Sequence, residues 1–415
     1  MVTPMDPVEK GVLRIGWAQD HMSVLREATR DLVESQALKG ARVSMAMHLE
    51  AKTAVLALRL REAGAQVVVS SCNPLTTDDA VAEALREKFE LVCFARRGQT
   101  REEYYEALHK ILDVEPTLVM DDGGDLTRLL HTERKDVVDD VEGGTEETTT
   151  GVVRLRAMER EGALRFPVVD VNDAKMKFLF DNRYGTGQST LDGIMSATNL
   201  LLAGKVVTVV GYGWVGRGIA LRARGMGSRV TVTEIDAVKA VEARMDGFEV
   251  MPLRDAAARS DFIITATGVT DVVREDHLRV LKDGCVLANA GHFDVEISKA
   301  DLEKLATSRR QVREHVEEYR FTDGRKAYLL GEGLLINLVA GQGHPVEIMD
   351  TSFALQALAV DLLHREGAQM EARVHPVPPE IDERVARIRL ETLGVSIDAL
   401  TEDQRRYVDS WQAGT

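Results

Sequence analysis

Cysteine is scarce and unpatterned: Cys72, Cys93 and Cys285 are three in number and show no C-x-x-C spacing. An odd, scattered set argues against a disulfide framework and against a structural zinc site, so no metal is expected. No run of about 18 apolar residues could form a membrane helix, and the N-terminal MVTPMDPVEKG carries acidic residues where a secretory leader is apolar. No Lys/Arg stripe with interleaved aromatics occurs, and the formal net charge is -15. Such a surface repels phosphate backbones, which excludes nucleic acid and anionic membranes as partners. Internal repeats and low-complexity tracts are also missing. These absences leave a cytoplasmic globular protein acting on small molecules.

What remains is ample for a packed interior. At 415 residues, 44% hydrophobic and 29% charged, the chain is too long for one ordinary core and has the composition of a soluble two-domain protein. From about residue 18 to 120, helical segments (VLREATRDLVES, AVLALRLREAGAQ) alternate with β-rich runs (ARVSMAMHL, VVVSS, LVCFA, TLVMD). This alternation predicts a mostly parallel sheet whose ligands lie beyond the carboxyl ends of its strands. Residues after those runs are therefore site candidates: His48, Cys72, Asn73 and Asp121 to Asp125. A second βα series, from LLLAGKVVTVVGYG through VTVTEID, FIITATG and CVLANAG, fades near residue 300. The helix SFALQALAVDLLHR, after the hinge-like GQGHP, is expected to return to the first unit. The expected fold class is α/β: a Rossmann-type dinucleotide domain over 182–345, a second α/β substrate domain with a parallel sheet over 1–181 and 346–393, and a short tail over 394–415.

Gly211 to Gly216 read GYGWVG, and the run follows the strand KVVTVV and opens a helix. Gly211 makes the turn, Gly213 allows close pyrophosphate approach and Gly216 allows helix packing; Tyr212, Trp214 and Val215 fill the loop. Glu234 ends the strand VTVTE, 18 residues after Gly216. A carboxylate there suits a ribose 2′-hydroxyl and repels a 2′-phosphate, so the cofactor is NAD and not NADP. Trp214 and Arg217 are unusual near such a loop and are placed beside the phosphates.

Four polar clusters and a mid-chain segment exceed what a simple dehydrogenase needs: MAMHLEAKTAV, SSCNPLTTDD, DDGGDLTRLLHT and EETTTGV, then VNDAKMKFLFDNRYG. With GYGWVGRG, TEID, NAGHFDVEI and LINLVAGQGHP, they make the chain resemble the S-adenosylhomocysteine hydrolase family from about residue 10 to 408. The resemblance implies a nucleosyl-homocysteine substrate. Its sugar is oxidised at 3′, loses homocysteine from 5′, takes up water and is reduced again, with NAD restored. It places Lys177 and Asp181 at the 3′-hydroxyl, Lys177 as base with a pKa its charged neighbours shift toward that duty. Asp122 falls near the 4′ proton, Glu147 at the ribose hydroxyls, and His48 and His292 about the 5′ position. Thr148, Thr149, Thr150 and Asn182 reach the cofactor from the substrate side. Asn337 stands near the nicotinamide and His344 at the hinge. Thr267, Gly268, Ala290 and Gly291 complete the cofactor wall, and Cys72, Asn73, Thr76, Met349 and Phe353 the substrate wall. The resemblance also implies a homotetramer.

Taken singly, these residues have plainer readings. A lone Asp or Glu is more often a cap or a solvated face, a histidine in an apolar run is usually core, and three threonines can simply open a helix. Their order and spacing together favour the site.

Three departures stand out. Many members read His-x-Thr-x-Glu or Gln where this chain has His48-Leu49-Glu50-Ala51-Lys52. Thr and Glu complement adenine's N1 acceptor and amino donor. Glu50 and Lys52 invert that pair and match hypoxanthine, with Glu50 accepting from N1 and Lys52 donating to O6. S-inosyl-L-homocysteine is therefore the expected substrate, with a crossed pairing to adenine, or a surface pair touching no base, as alternatives. Thr186 replaces a cysteine common near the hinge. The chain ends DQRRYVDSWQAGT, without the Lys/Tyr-containing arm that many members lend to a partner's cofactor, which predicts looser NAD retention. The competing readings are an NAD-dependent 2-hydroxy acid dehydrogenase, which has no use for Lys177, Asp181, Asp122 and Glu147 together, and a catalytically dead relative, which would show damaged motifs.

Overall fold

The computed structural model describes residues 5–412. Two sheets meet across a deep cleft. The first contains β1 (Arg42–Ala46), β2 (Gln66–Ser70), β3 (Val92–Cys93), β4 (Leu118–Asp121), β5 (Gly143–Glu146) and β6 (Val168–Asp170). The second contains β7 (Val206–Val210), β8 (Arg229–Thr233), β9 (Glu249–Val250), β10 (Phe262–Thr265), β11 (Cys285–Asn289), β12 (Ala306–Arg313), β13 (Val316–Phe321) and β14 (Lys326–Leu330). The chain then returns, and β15 (Val374–Pro376) adds to the first sheet beside β6.

The first sheet has the order β15-β6-β5-β4-β1-β2-β3 and is parallel throughout. Strands such as Leu118–Asp121 are buried along their whole length, as a parallel sheet covered on both faces demands. The second has the order β12-β13-β14-β11-β10-β7-β8-β9, parallel from β14 to β9. Its other end is an antiparallel extension, β12 with β13 and β13 with β14. The βα signal fades near 300 because this extension replaces it. β12 is exposed on both faces beyond Thr307, so no alternation marks it.

Two expected helices differ. VLREATRDLVES divides at Thr29, whose hydroxyl donates to the Leu25 carbonyl at 2.6 Å and competes with the helical ladder. An earlier helix, Pro7–His21, packs on Asp79–Glu87. The helix after GQGHP runs Val346–Glu366, is buried from Met349 to Leu363, and sits in the first sheet's core beside Met45 and Leu56. A helix buried on all sides occupies such a central position. Its buried Asp350 accepts from the N–H groups of Val24 and Leu25 at 2.9 and 2.7 Å, fastening the helix Ser23–Ala28 to it. No helix among the described residues is long and apolar enough to cross a membrane.

Candidate active site

The carboxyl ends of both sheets open onto one cavity of ≈1380 Å³. His48 follows β1, Cys72 follows β2, Asp122 follows β4 and Glu147 follows β5, while the Gly211 turn, Glu234, Thr267 and His292 follow β7, β8, β10 and β11. Parallel strands align these loops, so residues far apart in sequence face one space.

Lys177 stands at the centre. The chain enters a four-residue helix, Lys175–Phe178, and then a π-turn, Asp181–Gly185, which carries Asp181 and Asn182 back toward the Lys177 ammonium. Lys177 Nζ donates to Asn172 Oδ1 at 3.1 Å and Asn182 Oδ1 at 2.9 Å, and lies 3.5 Å from Asp181 and 3.8 Å from Glu147. Burial alone would lower its pKa, but Asp181, Glu147 and Asp122 outweigh burial and raise it. The sequence-based expectation of a shift toward base duty is thereby corrected: the surrounding carboxylates hold the proton on. Burial also opposes the Asp181 anion, yet Lys177 and His344 hold that carboxyl well below the usual range. Glu147 is pushed up to about 8, first by burial, against the opposing pull of Lys177. Gln356 Nε2 donates to its Oε2 at 2.6 Å.

His48 and His292 face one another, ring centres 5.8 Å apart. His48 Nδ1 meets the Thr76 hydroxyl at 2.7 Å and its Nε2 lies 3.8 Å from Asp122. Burial lowers both histidines to about 4, and it raises Asp122. At neutral pH both rings are therefore uncharged proton acceptors. His344 Nδ1 meets Asp181 at 3.2 Å and its Nε2 meets Thr186 Oγ1 at 3.0 Å, joining the GQGHP segment to the cluster.

The dinucleotide side fits NAD. Gly211 has φ +95°, and a Cβ on Gly216 would stand 1.9 Å from the Gly211 carbonyl oxygen, so turn and helix approach only as glycines. Gly213 caps the helix Trp214–Gly225 without a side chain, leaving its first N–H groups to an anion. Glu234 accepts from the N–H groups of Tyr212, Ile235 and Asp236 at 2.7, 2.7 and 3.0 Å, which fixes its carboxylate on the cavity wall. Asn337 donates to Ser189, and its buried Oδ1 has no protein partner. Thr148 begins the helix Thr149–Arg160 with no side-chain cap, and Thr148, Thr149 and Thr150 line the cavity with Asn182. Val215, Thr267, Gly268, Ala290 and Gly291 line it too, as do Met349 and Phe353 on the substrate side.

Several expectations need correction. Asn73 is no wall residue: its Oδ1 accepts from Leu75 N–H and caps the turn Pro74–Thr76. Thr76 and Cys72 stand behind the wall, Thr76 holding His48. The Tyr212 side chain is sealed in the core and donates to Asp246, whereas Gly216 packs helix against turn as expected. Arg217 turns from the phosphate side to Glu242 and lies over the Trp214 ring. Trp214 stacks in turn on Phe178 of the opposite unit, 5.1 Å away. Glu50 and Lys52 line the cavity, but Lys52 is only 5% exposed and is no surface residue. Its Nζ donates to Gln342 O at 3.2 Å and His344 O at 2.9 Å, and forms an ion pair with Glu50 Oε2 at 3.1 Å.

Sequence reading missed the groups that hold these loops. Glu146 Oε1 accepts from Gly123 N–H at 2.8 Å and Thr148 N–H at 3.0 Å. Glu296 accepts from the N–H groups of Thr267 and Gly268, and Asn289 accepts from Gly291 N–H and donates to the carbonyls of Gly291 and Phe293. Asn172 accepts from Lys177. The one available signal is the doubled acid of EETTT, of which the family resemblance singles out only Glu147. Likewise, no spacing rule foretells that His48, Cys72 and Asp122 each offer an atom within 4.8 Å of the others.

Comparison with known proteins agrees with this geometry. Residues 1–138 match the family model described as S-adenosyl-L-homocysteine hydrolase, and residues 182–343 match that family's NAD-binding domain. The adenosylhomocysteinase of Thermoplasma volcanium is 55% identical over 406 residues, covering 98% of this chain and 99% of that one. The S-inosyl-L-homocysteine hydrolase of Methanopyrus kandleri is also 55% identical, over 407 residues, covering 98% and 96%. Among solved structures, a dipicolinate synthase from Bacillus halodurans is similar in fold alone, with TM-score 0.50 and 14% identity over 79% of this chain and 99% of that one.

Proposed function

The chain belongs to the S-adenosyl-L-homocysteine hydrolase family, and from that premise we propose that it hydrolyses S-inosyl-L-homocysteine to inosine and homocysteine. It is an NAD-dependent hydrolase of that family; the base and the residue roles are our reading. One observation carries the chemistry: Lys177, Asp181, Glu147, Asp122, His48 and His292 share one cavity with the dinucleotide turn. A dehydrogenase needs one base and no second set of acids across from it. NAD, held at the Gly211 turn and Glu234, would supply the hydride acceptor and later donor for the 3′ carbon.

Lys177 is the base for the 3′-hydroxyl, with Asp181 and Glu147 holding the sugar hydroxyls beside it. Its proton must leave before it can accept another, so the base form is scarce at neutral pH. Asp122, buried opposite the histidines, takes the 4′ proton once the neighbouring carbon is a ketone. The uncharged rings of His48 and His292 receive protons at the 5′ position, which suits the activation of water after homocysteine leaves.

For the base, Glu50 uses Oε2 on Lys52 and keeps Oε1 for a donor, which hypoxanthine presents at N1. Adenine is the second reading: its amino group can donate to the same Oε1, and either base would take a Lys52 proton only by displacing a carbonyl of Gln342 or His344. A homotetramer in the cytoplasm belongs to the same proposal, and light scattering of the purified protein reads the assembly. The deciding experiment compares kcat/KM for the inosyl and adenosyl thioethers by released thiol. A preference of tenfold or more for the inosyl compound supports hypoxanthine, equal or better adenosyl turnover overturns it, and net NADH release with no thiol overturns the hydrolase reading.

A further inference from the structure

We propose that His48, Cys72 and Asp122 form a site for a thiophilic divalent cation, Zn²⁺ in kind, which blocks the reaction and takes the thiolate of homocysteine as its fourth ligand. One ligand atom from each lies within 4.8 Å of the others. Tetrahedral zinc, with bonds of about 2.0–2.3 Å, sets its ligand atoms roughly 3.5 Å apart. Each group therefore moves by less than about 1 Å to close the site.

The three sit at the ends of the neighbouring strands β2, β1 and β4, so the backbone spacing is set by the sheet. Supporting contacts are in place as well. Thr76 holds His48 Nδ1 and leaves Nε2 turned to Asp122, the arrangement in which an imidazole is oriented for a metal by its other nitrogen. Cys72 N–H donates to Met47 O at 3.2 Å, tying the cysteine to the residue before His48. Asp121 Oδ1 accepts from Asp122 N–H at 3.1 Å and fixes the third ligand's backbone.

Charge and softness select the ion. One thiolate and one carboxylate neutralise a divalent cation, which removes most of the penalty for burying it. Burial and the nearby Asp122, Asp121 and Asp125 raise the Cys72 thiol, so the cation must displace its proton. A sulfur and an imidazole suit Zn²⁺ or Co²⁺ and not Mg²⁺, which demands oxygen ligands. Binding replaces the Cys72 S–H bond by a sulfur–metal bond, and the proton passes to solvent.

His48 and Asp122 line the cavity, so a ligand from the substrate side would reach the ion past them. The fourth ligand alone rests on the hydrolase reading, which brings a homocysteine thiolate there. A cation so placed occupies His48 and Asp122 together, and the product completes its shell. Inhibition then deepens as homocysteine accumulates.

The test uses the NAD-loaded protein titrated with Co²⁺, read by sulfur-to-cobalt charge-transfer absorption. One cobalt per chain is expected. Cys72→Ser abolishes the band, while Cys93→Ser and Cys285→Ser retain it, with circular dichroism checking each fold. Asp122→Asn, with the thiol intact, weakens binding by about tenfold or more and so serves even where Cys72→Ser fails to fold. Homocysteine adds a second thiolate band to the bound metal, and methionine does not. Failure to bind in large excess of Co²⁺, or a band that survives in Cys72→Ser, overturns the site; no change with homocysteine overturns the fourth ligand. None of these readouts requires turnover, and thiol release measured with a chelator present decides the hydrolase reading separately.

Discussion

Lys52 Nζ donates to the backbone carbonyl of His344 at 2.9 Å, across 292 residues of sequence. Gln342 O accepts as well and Glu50 pairs with the charge, so one buried ammonium joins the first sheet's loop to the GQGHP strap through which the chain re-enters that sheet's core. Replacing it by Met leaves two carbonyls without their donor, at about 1–3 kcal/mol. Lys52→Met is expected to raise the substrate KM by about tenfold or more. An unchanged KM in steady-state assays would show that the strap is held elsewhere.

Lys177 gives the second prediction. Because Asp181, Glu147 and Asp122 raise its pKa against the effect of burial, its neutral form grows as pH increases above neutrality. The 3′ oxidation, followed as NADH absorbance in a single turnover, should speed up with pH across the alkaline range. Lys177→Met should slow it by about 10²- to 10⁴-fold and abolish the slope. A flat wild-type profile would remove Lys177 as the base.

Much of this site was legible because its chemistry lies in short runs after strands. GYGWVG with Glu234 needs only local spacing to be placed, whereas the cluster around Lys177 was placed by the family resemblance of its motifs. Three kinds of feature were not legible. Asn73 and Tyr212 sit inside motifs but point into turns or core, since alternate side chains of a loop face opposite ways. Lys52 finds partners that are backbone carbonyls, which carry no residue signature. The direction of the Lys177 shift depends on a balance between burial and three carboxylates, and only coordinates supply the distances. The antiparallel extension β12–β14 escaped for a related reason: β12 has no buried face to imprint a period.

His292 supplies a pH test of stability. Burial, as the largest cause, lowers it from 6.5 to about 4. Between those values the unfolded chain binds the proton and the folded one does not. Its contribution is therefore complete above pH 6.5 and is lost as pH falls toward 4, at most about 3 kcal/mol. Asp121, raised to about 6, acts with the opposite sign, so the difference between wild type and His292→Gln is the useful quantity. Urea unfolding should show the wild type losing more stability than the variant from pH 7 to pH 4. Parallel losses would mean that the folded ring titrates normally.

Glu146 joins two loops through one oxygen. Oε1 takes the N–H groups of Gly123 and Thr148, fixing the Asp122 turn and the start of the threonine helix together, while Oε2 is buried without a partner. Burial, with Asp121 and Asp122 nearby, raises its carboxyl well above the ordinary range and so favours the neutral form. A neutral acid is mimicked by an amide: Glu146→Gln keeps the accepting oxygen and puts an amide nitrogen at Oε2. Glu146→Ala instead strands two buried N–H groups, at about 1–3 kcal/mol each. The Gln variant should retain kcat within about tenfold, and the Ala variant should lose more than about 10² in kcat with Lys177 and His292 intact. If both variants fall equally, the carboxylate charge matters and the neutral-acid account fails; if neither falls, Glu146 does not position these loops.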